Sequence, residues 1–260
     1  MTQAPALLSC EKLTVRFGGL MALNALSLEL REGEILGLIG PNGSGKTTFF
    51  NALTGLYRLA SGTLFFQGRD ITGFRPQAVY SAGIARTFQR SRLCLSLSVF
   101  DNLMVGNHRN MSLSLWFNLF RRRQFAAQLF EHMECARSLL RGFSPQLAQR
   151  LFEPAGALGM IDRRRLEVCR ALISEPKLLL LDEPSAGMTH DETAELMDDI
   201  LAARRRVPGL SIILIEHEMG VIERVTERCV VLNFGEKICD GAYAQVAADP
   251  RVQEAYLGVE

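Results

Sequence analysis

The chain has no long hydrophobic run. Its longest purely apolar stretches, such as residues 178–181 and 212–215, are four residues each, where a helix crossing a bilayer needs about 20. No membrane span is expected, and any membrane contact is expected to be peripheral or through a partner. The first ten residues, MTQAPALLSC, offer neither a basic region nor a long apolar one, so no signal peptide is read and the chain is expected to stay in the cytoplasm. There is no charge excess either. With 29 Lys+Arg against 28 Asp+Glu the net charge is +1, and no nucleic-acid partner is expected. The six cysteines include no C-x-x-C pair, a pattern of free thiols in a reducing compartment rather than of disulfides or a zinc site. What is present is ordinary: 260 residues, 48% hydrophobic and 22% charged. That composition excludes disordered and collagen-like chains and leaves one or two globular domains.

Strand and helix signals alternate along the chain. Leu13, Val15 and Phe17 share one strand face, and Leu26, Leu28 and Leu30 share another after Gly18-Gly19. Glu34 to Ile39 reads as a short buried strand leading into a glycine-rich turn and a helix from about Lys46 to Thr54. A strand over 62–67 is followed by Gly68-Arg69-Asp70 as its turn. From about Leu93 to Arg170 strand signals fade, and Phe125, Leu129, His132/Met133, Ala136 and Leu139/Leu140 recur at helical spacing, which predicts a helical subdomain. Buried parallel strands return at 178–181 and 211–215, with a helix between them from Asp191 to about Arg206. Thr189 and Glu192 form a capping box at its start. Cys229 to Phe234 and Lys237-Ile238 read as a closing hairpin. Strands and helices alternating around buried parallel strands predict an α/β sheet.

Three arginine triplets, at 121–123, 163–165 and 204–206, are expected on solvated helix faces or as partners of helix C-terminal dipoles. The apolar cluster at 113–120, which includes Trp116, Phe117 and Phe120, is either helical core or an exposed docking patch.

Gly40, Pro41, Asn42, Gly43, Ser44, Gly45, Lys46 and Thr47 fit G-x-x-x-x-G-K-[ST] between a predicted strand and a predicted helix. The glycines let the backbone curl so that successive N–H groups point at phosphate oxygens, and the helix dipole adds positive potential there. Lys46 is expected to reach the β- and γ-phosphates, and the Thr47 hydroxyl to ligand Mg²⁺. The second half of such a site is a carboxylate pair, and the strand ending in Asp182-Glu183 supplies it. Asp182 takes the metal role and Glu183 that of general base toward the attacking water.

The order Phe17, GPNGSGKTT over 40–48 (Thr48 closing it), Thr87-Phe88-Gln89, LLLLDEP over 178–184 and Ile215-Glu216-His217 resembles the ATP-binding subunits of ABC transporters, across essentially the whole chain. The opening RFGGLMALNALSLELREGEILGLIGPNGSGKTT, the ARTFQ and IEHEM stretches, the long insert after Asn102 and the ending DPRVQEAYLG resemble, more narrowly, the ATPase subunits of branched-chain amino acid importers. The resemblance implies an α/β fold: a P-loop ABC ATPase core with a parallel sheet, an N-terminal antiparallel β part and an inserted helical subdomain. The whole is one domain, with 1–92 and 171–260 as the ATPase core and 93–170 as the helical subdomain. It implies that Phe17 stacks on adenine, that Gln89 senses Mg²⁺ and the water, and that His217 contacts the γ-phosphate. Partners implied are transmembrane permeases, an extracytoplasmic binding protein and a second ATPase subunit in a head-to-tail dimer, with the chain peripheral on the inner face of the cell membrane. ATP and Mg²⁺ are the implied ligands.

Two motifs depart from the family pattern. Where the family carries a Leu-Ser-Gly-Gly-Gln signature, aligned back from Arg164-Arg165-Leu166-Glu167, this chain has Leu158-Gly159-Met160-Ile161-Asp162. Gly159 offers an amide but no hydroxyl, and Met160 and Ile161 add bulk. The composite site completed by this segment is therefore expected to be weak, and the second ATPase subunit to be non-identical. Thr189 stands where many relatives have aspartate, though it keeps the helix-capping duty. Two other functions stay open on sequence: the ATPase of a lipid or lipopolysaccharide exporter, and a soluble ABC-type ATPase serving as scaffold or regulator. Substrate identity is not encoded in such a subunit.

Overall fold

The computed structural model describes residues 6–110 and 121–257. The apolar cluster at 113–120 lies outside the described residues. The chain divides into two compact units. One runs to Arg86, takes in Lys177–Glu183 and resumes at Pro208, while the other comprises Thr87–Pro176 and Pro184–Val207.

The strands are β1 (Ala6–Phe17), β2 (Leu20–Arg31), β3 (Ile35–Ile39), β4 (Ser61–Phe66), β5 (Arg69–Asp70), β6 (Ile84–Arg86), β7 (Leu178–Asp182), β8 (Ser211–Ile215), β9 (Arg228–Asn233) and β10 (Glu236–Gly241). All lie in the first unit. An antiparallel sheet has the order β2-β1-β4-β5, and a second sheet the order β10-β9-β3-β8-β7-β6. In the second, β6, β7, β8, β3 and β9 run parallel, and only the edge strand β10 is antiparallel. The helices are α1 (Lys46–Leu53), α2 (Pro76–Ala82), α3 (Val99–Gly106), α4 (Arg122–Phe143), α5 (Pro145–Gln149), α6 (Met160–Leu172), α7 (His190–Arg206), α8 (Met219–Val225), α9 (Tyr243–Ala247) and α10 (Pro250–Leu257).

The predicted α/β fold is the one observed. Leu26, Leu28 and Leu30 are buried on one face of β2, as are Leu13 and Val15 on β1. Phe17 has the same parity but lies at the strand's end and is 46% exposed. The core of this unit joins both sheets through Phe49 and Phe50 of α1, which pack with Leu8, Leu23, Phe66, Leu180 and Ile213. Truncating either phenylalanine to alanine costs about 3–5 kcal/mol at such sites. Arg69 and Asp70 are not turn residues. They pair with Phe66 and Phe65, and the turn is Gln67-Gly68, both with positive φ, the backbone a tight two-residue hairpin needs.

In the second unit, Ser98 and Asp101 cap α3 reciprocally, and the Asn102 side chain, fully buried, bonds the Cys94 backbone in both directions. On α4 the predicted stripe is buried at Ala136 and Leu140, whereas Phe125 and Leu129 are exposed among the described residues. The helix between β7 and β8, α7, groups with this unit rather than with the strands. Arg165 of α6 fastens it, donating to Asp199 at 2.8 Å and to Glu195. The 163–165 triplet is accordingly no solvated face. Arg164 and Arg165 are buried, and Arg164 bonds Glu167 and the Ala186 carbonyl. The triplet at 204–206 does close α7 at its C-terminal turn.

Candidate active site

β3 lies between β8 and β9, so the loop leaving its carboxyl end opens in the middle of the parallel sheet, where α/β sheets bind ligands. The loop's curl depends on glycine. Gly40 has φ +143, and a Cβ there would come within 2.1 Å of the Leu232 carbonyl. Gly45, at φ +109, caps α1 without a side-chain bond, and the first turn of α1 holds no acidic residue. The helix therefore presents its N–H groups and positive dipole end unopposed, an anion site built from backbone. Lys46 is buried and donates to the carbonyls of Gly40 at 2.6 Å and Pro41 at 3.0 Å. Burial lowers its pKa, and the negative charges of Glu183 and Asp182 work in the opposite direction. Thr47 is exposed and Thr48 half-buried. The β9–β10 turn braces the loop: Gly235 N–H donates to the Ser44 carbonyl at 2.9 Å, and the Gly235 carbonyl accepts from Asn24 N–H at 2.9 Å.

β7 and β8 run side by side with Asp182 opposite Ile215, so the residues after both strands emerge together. Glu183 N–H donates to the Ile215 carbonyl at 2.9 Å. Glu183 sits at φ +49, a left-handed backbone costly for a non-glycine residue and a mark of functional sites. Its Oε1 lies 2.7 Å from His217 Nε2. Asp182 is 2% exposed, and Arg86 Nη2 donates to its Oδ2 at 2.6 Å. Desolvation raises the Asp182 pKa, Arg86 and Lys46 pull it down, and Glu183 pushes it up.

The structure thus brings Lys46, Asp182, Glu183 and His217 together in one unit. Phe17 shares that unit, is half exposed and forms a T-shaped pair with Tyr57, with centroids 5.0 Å apart and planes at 80°. Gln89 is exposed, three residues past β6, and opens the second unit. In that unit Gly159 caps α6 without a side-chain bond, Met160 is half exposed, and Asp162 occupies the first turn. Sequence alone does not single out Arg86, because its contacts come from two separated segments, residues 50–54 and Asp182. The strand ending Ile84-Ala85-Arg86, with a charge last before the Thr87-Phe88-Gln89 motif, is the one local hint.

Among the described residues no cluster of three or more His, Cys, Asp or Glu side chains can hold a metal ion. Thr47 and Asp182 are hard oxygen donors, too few to cage a resident ion but suited to a Mg²⁺ that keeps waters and phosphate oxygens.

The ABC transporter family model matches residues 23–186. The chain belongs to the ABC transporter ATP-binding family. A model described as branched-chain amino acid ATP-binding cassette transporter matches residues 236–260 of this ABC ATPase. It is 39% identical over 252 residues to the high-affinity branched-chain amino acid transport ATP-binding protein LivG of Salmonella typhimurium, covering 97% of this chain and 98% of that one. To BraF of Pseudomonas aeruginosa, which has the same description, it is 36% identical with the same coverage. Among solved structures, a nucleotide-free ATP-binding cassette from an ABC transporter superposes with a TM-score of 0.83 at 28% identity, covering 98% of this chain and 100% of that one. An ADP conformation of such a cassette gives the same values. This ABC ATPase is an ATP-binding and ATP-hydrolysing subunit of a transporter, as its sequence implies. No helix among the described residues is long and apolar enough to cross a membrane.

Proposed function

We propose that this chain couples ATP hydrolysis to import of branched-chain amino acids or related amides. It would lie peripherally on the cytoplasmic face and act through transmembrane permeases fed by an extracytoplasmic binding protein. The observation that carries the substrate class is the near-complete coverage by relatives so described, together with the match of the C-terminal segment.

In this reading the backbone N–H groups at the start of α1 and the Lys46 ammonium hold the phosphates, and Phe17 stacks on adenine. Thr47 and Asp182 hold Mg²⁺, which neutralises phosphate charge when bound. Glu183 takes the proton from the attacking water, and His217, 2.7 Å from Glu183, contacts the γ-phosphate. Gln89 takes the part of sensing Mg²⁺ and the attacking water. The paired ATPase subunit is a different chain in this reading; supporting it, Gly159 at the start of α6 offers no hydroxyl and Asp162 stands in the first turn.

Gentle affinity purification of the tagged chain from native membranes, with mass spectrometry of everything retained, tests this reading. Two multispanning permeases and a second, non-identical ATPase are expected. Permeases with this ATPase alone would sink the heterodimer, and a partner set without any membrane protein would sink the transport reading.

A further inference from the structure

Arg86 ends β6 with its side chain only 5% exposed. Its guanidinium reaches both α1 and β7. Nη2 donates to Asp182 Oδ2 at 2.6 Å, and Nη1 donates to Asn51 Oδ1 at 2.7 Å and reaches Thr54 Oγ1 at 3.4 Å. The group also lies over the Phe50 ring at 5.3 Å. Asn51 on α1 and Thr54 at its C-cap lie four and seven residues after Thr47, so all three share one face of that helix. One rigid fork thus spans the two elements that carry Thr47 and Asp182. Lysine could not replace it, since a single ammonium at the end of a flexible stem does not hold two acceptors in a fixed plane.

A carboxylate has two oxygens and about four acceptor sites, so a bond to Oδ2 fixes the plane of Asp182 and leaves capacity for a cation. From this geometry we propose that Arg86 is a positioning residue that sets the spacing between Thr47 and Asp182 for the Mg²⁺ that accompanies ATP. The proposal rests on the metal reading given above. Arg86 touches neither nucleotide nor metal in this role. It acts through Asp182 and the α1 face, as outer-shell partners of metal ligands do.

The test uses the full chain with ADP and Mn²⁺, whose bound fraction is read by electron paramagnetic resonance, beside ADP binding in EDTA. Arg86→Met is expected to raise the Mn²⁺ concentration for half-saturation of the ADP complex by about tenfold, the lower end of the effect of losing an outer-shell partner. ADP binding in EDTA is expected to stay unchanged, and Arg86→Lys to recover only part of the metal affinity. Equal losses with and without metal would overturn the proposal, because Arg86 would then only hold the fold. An unchanged Mn²⁺ midpoint would overturn it as well. Should Arg86→Met fail to fold, Asn51→Ala removes the α1 anchor and keeps the ion pair, and an unshifted midpoint there has the same force. A wild-type protein whose ADP binding ignores Mn²⁺ would instead remove the metal reading itself, and the proposal with it.

Discussion

His217 Nε2 and Glu183 Oε1 stand 2.7 Å apart, joined across the ends of two adjacent parallel strands. Glu183 holds a left-handed backbone there, and its N–H is tied to the Ile215 carbonyl of the strand that leads to His217. The sheet register therefore brings the pair together.

Replacing that carboxylate with an amide keeps its size and hydrogen-bonding plane but removes a proton acceptor. Glu183→Gln is expected to lower ATP turnover by about 10²–10⁴-fold, the usual contribution of a general base, while ATP binding persists. Single-turnover hydrolysis beside equilibrium binding of a fluorescent ATP analogue checks both halves, and undiminished turnover would remove Glu183 from the role.

Gly159 leaves room for a hydroxyl. Its φ is −66, and a Cβ built there meets nothing within 4 Å. Gly159→Ser is expected to leave thermal stability unchanged or raise it by a few tenths of a kcal/mol, as serine caps helices slightly better than glycine. ATPase activity of the purified chain, measured against protein concentration, should rise and become more cooperative. A variant as stable as the parent but no more active would show that Met160, Ile161 or Asp162 limits the segment instead.

Arg165 ties α6 to α7 through Asp199 and Glu195 and also meets Asp162. Its side chain is 8% exposed but Glu195 is 59% exposed, so the loss falls below that of a wholly buried pair. Arg165→Ala is expected to cost about 2 kcal/mol, read as a lower urea midpoint at constant slope. A change under experimental error would mean that water replaces the guanidinium at no cost.

Thiol chemistry separates the cysteines by burial. Burial pushes the Cys10 thiol up to about 12 and raises Cys169 and Cys229 as well. A raised thiol pKa leaves less of the nucleophilic thiolate at pH 8. Exposed Cys94 and Cys135 should therefore be alkylated ahead of the buried thiols. Cys10, Cys169 and Cys229 should wait for unfolding. Peptide mapping after timed alkylation gives the order, and early labelling of Cys169 would contradict the packing of α6.

The parts legible in the sequence are those whose chemistry is local. The loop from Gly40 to Thr47 needs glycine, lysine and threonine at fixed offsets, and a strand of leucines ending in Asp182-Glu183 carries its own direction. Leu26, Leu28 and Leu30 show their face by parity alone. Arg165 was hidden in a run of charges that reads as a solvated face, because its partners lie 30 and 34 residues away on another helix. Arg86 was hidden because its partners lie on α1 and β7, and α7 packs against α4 and α6 rather than grouping with the strands it connects. Phe17 keeps the parity of Leu13 and Val15 yet is exposed, since parity fixes a side and not whether anything covers it.

The brace behind the phosphate loop has a use of its own. Asn24 N–H, the Gly235 carbonyl, Gly235 N–H and the Ser44 carbonyl form a relay from the antiparallel sheet through a hairpin to the loop. A phosphate that stiffens the loop must slow the opening of these bonds. The hydrogen-exchange rate of the Gly235 amide thus becomes a remote gauge of nucleotide occupancy, readable without a label at the site.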